Sequence, residues 1–313
     1  MRDRKLISVV ISAYNEELVI EELSKQLKDV FDSLPQYDFE VIFVENGSTD
    51  RTYEKMLKVR EGDSRFKILR LSRNFKMDGG ITAGLSYAKG DAAVIMTANL
   101  QDTPSTIPLF VEKWEQGYEN VYGIVKKRTG KGFFRRINSQ LFYFLIGKLT
   151  GDHIPKNVSD FRLVDKKVYE IINSFPERNR FLRGMFAWVG FKSIGIEFVR
   201  GKRYAGRSHA HFFGVLQMAI RAIFAFSYVP IRFIAFLGFL FSAISILHLI
   251  YSVITFFIKG VPFAGFGTIV SLLLLMFGLL FLILGVIGQY IAQIYEEVKM
   301  RPNFIVSEKI GFD

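Results

Sequence analysis

Between Phe233 and Ile258 the chain carries no Asp, Glu, Lys or Arg, and between Gly260 and Tyr295 it carries none again. Each stretch exceeds the ~20 apolar residues needed to cross a bilayer. A helix in a soluble core rarely runs that long without charge. Two transmembrane helices are therefore expected, roughly Ile231–Phe257 and Thr268–Ile291, joined by a short segment around "KGVPFAG". Such a hairpin leaves both flanks on one side. Arg221, Arg232, Lys299 and Arg301 lie on that side, and Lys259 is the charge in the short loop. The positive-inside rule then puts the flanks and the large N-terminal region in the cytoplasm. The early run "LISVVIS" is too short for a signal peptide and is followed by Asn15, Glu16 and Glu17.

The remaining residues, out of 313 in total, suffice for a sizeable domain outside the membrane. There is no cysteine, so disulfides and thiolate metal sites are excluded. The net charge of +11 suits anionic lipid head groups. Nucleic acid is the other polyanion to consider, but no nucleic-acid-binding module is recognisable.

Residues 1–125 alternate apolar runs with amphipathic stretches. "LISVVIS", "EVIFVEN", "FKILRLS" and "DAAVIMT" read as strands, β-branched and apolar on consecutive positions, as in a sheet covered on both faces. Between them, "NEELVIEELSKQLKDVFDSL", "TDRTYEKMLKVREG" and "KMDGGITAGLSYAKG" read as helices, with Ser48 or Thr49 expected to cap the second. This order predicts a mostly parallel α/β sheet of Rossmann-like type. Residues 126–230 change character. "KKRTGKGFFRRINSQLFYFLIGKLTG" and "HFFGVLQMAIRAIFAFSYVP" mix cations with aromatics at helical spacing, which suits amphipathic helices lying in the membrane interface. The expected units are thus 1–125, 126–230, a hairpin at 231–295 and a tail at 296–313.

Polar residues collect at the ends of the four expected strands. They are Ser12, Tyr14 and Glu16 after the first, Glu45 and Asn46 after the second, and Arg73 and Lys76 after the third. Thr97, Asn99, Gln101 and Asp102 follow the fourth. That edge is where open α/β sheets bind nucleotides, which need base-edge hydrogen bonds, ribose contacts and phosphate-facing groups.

At this point the chain resembles the family 2 glycosyltransferases of GT-A fold. Within them it is similar to the polyprenyl-phosphate branch, which includes dolichyl-phosphate mannose synthase and the bactoprenol-phosphate glucosyltransferases. The resemblance spans nearly the whole chain. It is carried by "SVVISAYNEE", "VENGSTD", "LSRNF", "TAGL", "ANLQD", "SDFRLVDKKV", "ERNRFLRGMFAWVGF", the paired spans and "GQYIAQIYEEVKMRP". It implies transfer of a sugar from a nucleotide-sugar donor to a membrane polyprenyl phosphate, undecaprenyl phosphate by the bacterial type of the C-terminal segment, with inversion by direct displacement. It also implies a multi-pass protein of the inner (cytoplasmic) membrane, a role in the cell envelope, and a homo-tetramer formed through the membrane helices.

The same resemblance implies site residues. Asp160 corresponds to the family acid at the reacting centre, in a base or orienting role. Arg162 beside it has the planar fork that suits phosphate oxygens. Lys126, Arg128 and Arg135 fit the acceptor phosphate and the bilayer surface. Arg203, Gly206 and Ser208 match a family basic loop over the phosphates, joined by Arg207, with His209 standing at its Lys position. A His there is only partly cationic, its unperturbed pKa being ~6.5.

The departures gather in the donor pocket. The family metal motif reads Asp-Ala-Asp-Leu-Gln-Asp; here its first two acids are Thr97 and Asn99, while Gln101 and Asp102 remain. The acid that reads the nucleotide is Asn46, and a family Gly-Lys pair is Lys76-Met77. Two neutral oxygens in place of carboxylates weaken the hold on Mg²⁺ or Mn²⁺, so Asn99 and Gln101 make at best a feeble metal site. Two classes of function stay open: an active transferase with reduced metal dependence, or a silent homologue that binds polyprenyl phosphate or partners an active enzyme. A two-span transporter would leave the large α/β region unexplained.

Overall fold

The computed structural model describes residues 4–126, 158–201, 229–259 and 266–312. The four expected strands form as β1 (Lys5–Ala13), β2 (Tyr37–Glu45), β3 (Phe66–Leu71) and β4 (Ala92–Thr97), all mutually parallel in the order β3-β2-β1-β4. Their neighbouring residues face opposite ways. Val9, Ile11, Val41 and Phe43 join the core under α1 (Ile20–Ser33), while Val10, Ile42 and Val44 join the core on the other face. Burial on both faces explains the unbroken apolar runs.

Helix α1 turns Ile20, Leu23, Leu27, Val30 and Phe31 inward, one stripe at helical spacing. Helix α2 (Thr52–Gly62) is not capped by Ser48 or Thr49 as expected. Its first turn is held by Asp50, whose carboxylate accepts the Thr52 N–H at 3.0 Å. Helix α3 (Lys76–Tyr87) lies hard against the sheet because it offers glycine there: a Cβ at Gly80 would fall 2.2 Å from Ser12 Oγ.

Past β4, a 3₁₀ turn and α4 (Ile107–Glu115) lead to β5 (Asn120–Val125), and later to β6 (Val158–Asp165), α5 (Lys166–Ser174), α6 (Leu182–Trp188) and β7 (Ser193–Phe198). Strand β6 inserts antiparallel between β4 and β5, and β7 pairs parallel with β5. Strands from both sides of residue 125 therefore share one sheet. Two long helices follow, α7 (Val229–Lys259) and α8 (Phe266–Val298), with exposed side chains such as Phe239 and Phe281. Among the described residues, one stretch, Leu275–Val298, is long and apolar enough to cross a membrane. The two amphipathic stretches expected at the interface fall almost wholly outside the described residues.

The segment after α8 is more than a tail. Residues Val306–Ile310 form β8, antiparallel to β3, and complete an eight-stranded sheet of order β7-β5-β6-β4-β1-β2-β3-β8. Tyr53 Oη donates to Glu308 at 2.6 Å, and the Phe312 ring meets Tyr87 edge-on at 5.4 Å.

At the opposite edge of the sheet from the strand-end loops, Glu40 is buried and triply held. It accepts from Ser8 Oγ (2.5 Å), Lys67 Nζ (2.7 Å) and the Lys89 N–H (2.8 Å). Burial pushes its carboxyl up, but Lys67, Ser8 and Lys89 together hold it below its usual value. A carboxylate with a depressed folded pKa stabilises above the unfolded value and loses that contribution as pH falls. Glu40→Gln is therefore expected to cost about 1–2 kcal/mol at neutral pH. The gap to the parent in thermal melting should close as pH drops below the ordinary glutamate value of 4.5.

Candidate active site

The loops after β1 and β2 are stitched together by their own polar groups. Asn15, in a left-handed backbone conformation at φ 53°, donates its N–H to Ser48 Oγ and accepts the Thr49 N–H at 2.8 Å. The Glu16 N–H donates to Thr52 Oγ1 at 2.8 Å. Glu45 is 1% exposed; its carboxylate accepts the Ser48 N–H and lies 3.5 Å from Arg70 Nε. Gly47 has φ 71°, and a Cβ there would run into the Arg73 backbone at 2.5 Å.

Asn46 occupies the place of the expected nucleotide-reading acid, and its amide works inside the protein. Oδ1 accepts the Phe75 N–H at 2.9 Å and Nδ2 donates to the Lys76 carbonyl at 2.8 Å. An aspartate cannot donate, so the amide supplies a bond that the usual acid could not. It pins the turn in which Lys76 takes φ 62°. Arg73 and Lys76 are exposed beside that turn, with the Arg73 guanidinium 4.1 Å from the Phe75 ring. Ser12 faces Gly80 of α3, and Tyr14, two residues on, is half-buried.

At the end of β4 the chain makes a tight turn. Asn99 Oδ1 accepts the Gln101 N–H at 3.0 Å, and Leu100 sits at φ 51°. The Thr97 hydroxyl is buried without a hydrogen-bond partner among the described residues. Asp102, 1% exposed, is gripped by Arg200 just beyond β7: Nε lies 3.0 Å from Oδ1, and Nη2 donates to Oδ2 at 3.1 Å. The next residue fastens the same two segments, with Gly201 N–H on the Gln101 carbonyl at 2.9 Å.

Strand β6 runs against β4 with Ile95 opposite Arg162, so Asp160, the third residue of β6, comes level with the end of β4. Asp160 is held two-pronged by Arg183 of α6, with Nε to Oδ1 at 3.1 Å and Nη2 to Oδ2 at 2.7 Å. The Asp160 side chain keeps 23% exposure and Arg183 keeps 22%, so the pair borders solvent. Arg162 lies deeper, 3% exposed, stacked 4.5 Å from the Phe186 ring and donating to the Ser159 and Asp160 carbonyls. Two nitrogens of its guanidinium are thus used inside the protein.

Two carboxylates and three guanidiniums thus share the carboxyl edge of the sheet, a net charge of +1. Burial would raise the Asp160 carboxyl; Arg183, with Arg162 and Arg200 behind it, overrides this and holds it below its ordinary value. Asp102 goes the other way. Burial pushes it up, Arg200 only partly offsets that, and the Asp160 charge adds to the push. Burial also brings Arg162 down to about 10.

This donor set does not fit a divalent cation. Asn99 and Gln101, the expected weak metal ligands, are neutral, and the Asn99 oxygen already closes its own turn. The carboxylate beside them, Asp102, is occupied by Arg200. Among the described residues no group of three or more His, Cys, Asp or Glu is arranged to hold a metal.

Of the acceptor-side candidates, Lys126 pairs with Glu197 at 3.2 Å on the exposed surface. Arg128, Arg135, Arg203, Arg207, Ser208 and His209 lie outside the described residues. Reading the sequence missed Arg183 as a site residue and did not single out Arg200 from its basic neighbours. The available signal was an arginine within the apolar run "RFLRGMF", two residues ahead of a buried methionine.

The sequence profile described as "Glycosyl transferase family 2" matches residues 8–172. An uncharacterized glycosyltransferase, YkcC of Bacillus subtilis, is 39% identical over 98% of this chain and 94% of its own length. The SfII prophage-derived bactoprenol glucosyl transferase of Shigella flexneri is 33% identical over 96% of this chain and 97% of its own. Among solved structures, glucosyl-3-phosphoglycerate synthase from Mycobacterium tuberculosis, in complex with Mn²⁺, UDP and phosphoglyceric acid, superposes with a TM-score of 0.53. It is 18% identical and covers 70% of this chain and 76% of its own, a likeness of fold.

Proposed function

Because the chain belongs to glycosyl transferase family 2 and is a glycosyltransferase of GT-A-like fold, we propose that it moves a sugar from a nucleotide-sugar donor to a polyprenyl phosphate, undecaprenyl phosphate in particular, at the cytoplasmic face of the inner membrane. The observation that carries this reading is the acid–guanidinium cluster at the carboxyl edge of the sheet, with Asp160 in the two-pronged grip of Arg183 next to the Asp102–Arg200 pair. The end-to-end likeness to proteins named for bactoprenol supports the lipid acceptor. The two long helices, with α8 meeting the requirement for a crossing, support a hairpin that holds the domain at the bilayer.

The chemistry follows from charge. An acceptor phosphate is largely ionised near neutral pH, its second pKa being about 6, so it needs positioning more than deprotonation. One of its oxygens attacks the anomeric carbon from the face opposite the leaving group. The carbon–oxygen bond to the acceptor forms as the bond to the donor diphosphate breaks, and the nucleoside diphosphate departs with the electron pair. The configuration inverts. Asp160, kept ionised by Arg183, orients the reacting sugar, while Arg183 and Arg200 border the place where negative charge builds on the leaving diphosphate. Guanidiniums fixed by carboxylates need little reorganisation as that charge develops. The loops of Glu16, Glu45 and Asn46 shape the donor pocket.

The test is transfer of radiolabelled sugar from a panel of nucleotide sugars to undecaprenyl phosphate by the purified full-length chain, with and without EDTA. Transfer that survives EDTA is the expected result. Transfer abolished by EDTA and restored by Mg²⁺ would defeat the metal-free chemistry. No transfer from any donor would leave the silent-homologue reading standing.

A further inference from the structure

The segment "YEEVKMRP" contributes no residue to the cluster described above, yet it is where the apolar run of α8 meets its first charges, Glu296 and Glu297. Glu297 points back onto the catalytic domain. Its Oε1 accepts the N–H groups of Arg178 and Asn179, both at 3.0 Å, and its Oε2 accepts the Arg178 N–H at 2.8 Å. These donors are backbone, so the contact fixes the path of the chain whatever side chains stand there. They lie in the loop between α5 and α6, and four residues beyond Asn179 is Arg183, the residue that grips Asp160.

The loop is tied from its carbonyl side as well. Arg180 Nη2 donates to the Phe175 carbonyl at 2.6 Å and to the Asn173 carbonyl at 3.3 Å. Asn303, just past α8, donates to the Glu177 carbonyl at 3.1 Å. Two residues flanking the end of α8 thus reach the same loop, on its N–H and its C=O groups. Charge-assisted bonds from backbone N–H to carboxylate are the stronger kind.

We propose that Glu297 is a positioning residue for the transfer reaction: through the Arg178–Asn179 backbone it sets the start of α6, and thereby the placement of Arg183 on Asp160, linking the end of the membrane helix to the reacting centre. This rests on the function proposed above. A membrane-held acceptor makes such a link useful, since its phosphate depth is set by the bilayer and the reacting carboxylate must be registered to the same plane. Helix α6 is also anchored by the buried Leu182, Met185 and Phe186, so losing Glu297 should loosen the placement without unfolding the helix.

The experiment uses the full-length chain in lipid nanodiscs, comparing the parent with Glu297→Ala, Glu297→Gln, Arg183→Ala and the Arg183→Ala/Glu297→Ala double variant. In Glu297→Ala, turnover should fall about tenfold with the donor KM within about twofold, as for an interaction that acts on the reacting geometry and not on donor binding. Glu297→Gln, which keeps one acceptor oxygen, should recover part of the loss. In the Arg183→Ala background the further change at 297 should have almost no effect, the non-additivity of two residues acting through one contact. Hydrogen–deuterium exchange should rise over residues 178–188 in Glu297→Ala and stay at parental levels over α3. Additive losses at 183 and 297, or unchanged exchange over 178–188, would overturn the proposal. If the parent transfers no sugar, the function reading falls, while the exchange comparison still decides whether Glu297 holds this loop.

Discussion

Asp160→Asn should lower sugar transfer about 10³-fold, within the range for loss of a positioned acid–base or orienting group, while leaving the fold intact. The amide keeps an oxygen for Arg183 and the shape of the side chain, so melting should stay within a few degrees of the parent. The donor KM should change less than about threefold, because Asp160 stands at the β6 end of the cluster, apart from the loops of Glu45 and Asn46. Steady-state kinetics with saturating acceptor check this; a variant retaining a tenth of parental turnover would remove Asp160 from the reacting centre. The pH profile carries a companion expectation. Arg183 holds Asp160 below the ordinary 3.8, so it stays ionised across the working range. The acid limb of turnover should therefore follow the acceptor phosphate, near pH 6.

The second large effect belongs to the Asp102–Arg200 pair, and it separates stability from chemistry. Removing one partner of a buried pair leaves the other charge uncompensated, a loss of about 3–5 kcal/mol. Arg200 is 34% exposed, so water replaces part of its contribution and Arg200→Ala should cost about 2–3 kcal/mol. The sign with pH is fixed by burial, which raises the folded-state pKa of Asp102. A carboxyl raised on folding is most stabilising while protonated, and that stability drains away as pH climbs from the unfolded value, 3.8, through the folded one. The Arg200→Ala deficit should therefore be largest at neutral pH and shrink toward pH 4. Adding Asp102→Asn removes the buried charge and should restore most of the melting temperature. Transfer should remain about 10²-fold down in both, because the guanidinium beside the departing diphosphate is gone. Recovery of transfer together with stability in the double variant would reduce Arg200 to a structural role.

Much of this molecule could be read from its sequence, because the relevant signals are local. Apolar runs of strand length, the helical stripe from Ile20 to Phe31 and the polar clusters at strand ends each speak within about fifteen residues. Asp102 stood out by its place after the fourth strand, and Asp160 through the family resemblance of its motif. Their partners did not. Arg200 lies 98 positions from Asp102 and Arg183 lies 23 from Asp160, and both meet them through the antiparallel insertion of β6 and the return of the chain after β7. Asn46 shows a further role that its position did not announce. A missing acid in a donor pocket suggests a weakened donor site, but the amide shapes the next loop with both its atoms. Strand β8 was hidden because a short stretch after a membrane-length helix reads as a tail; its pairing partner, β3, ends more than two hundred residues earlier.

That last strand has a consequence for how the protein is made. Synthesis runs from the N-terminus, so strands β1 to β7 and both long helices leave the ribosome before residues 306–310 do. Until then the outer edge of β3 presents unpaired backbone groups, the kind of edge that recruits strands from other chains. The finished sheet therefore forms only after both long helices have been made and the chain has come back to the edge of β3. A fragment cut before α8 to obtain a soluble enzyme loses both the edge strand that shields β3 and the carboxylate that registers α6, and its behaviour would describe an open-edged domain instead of the native one.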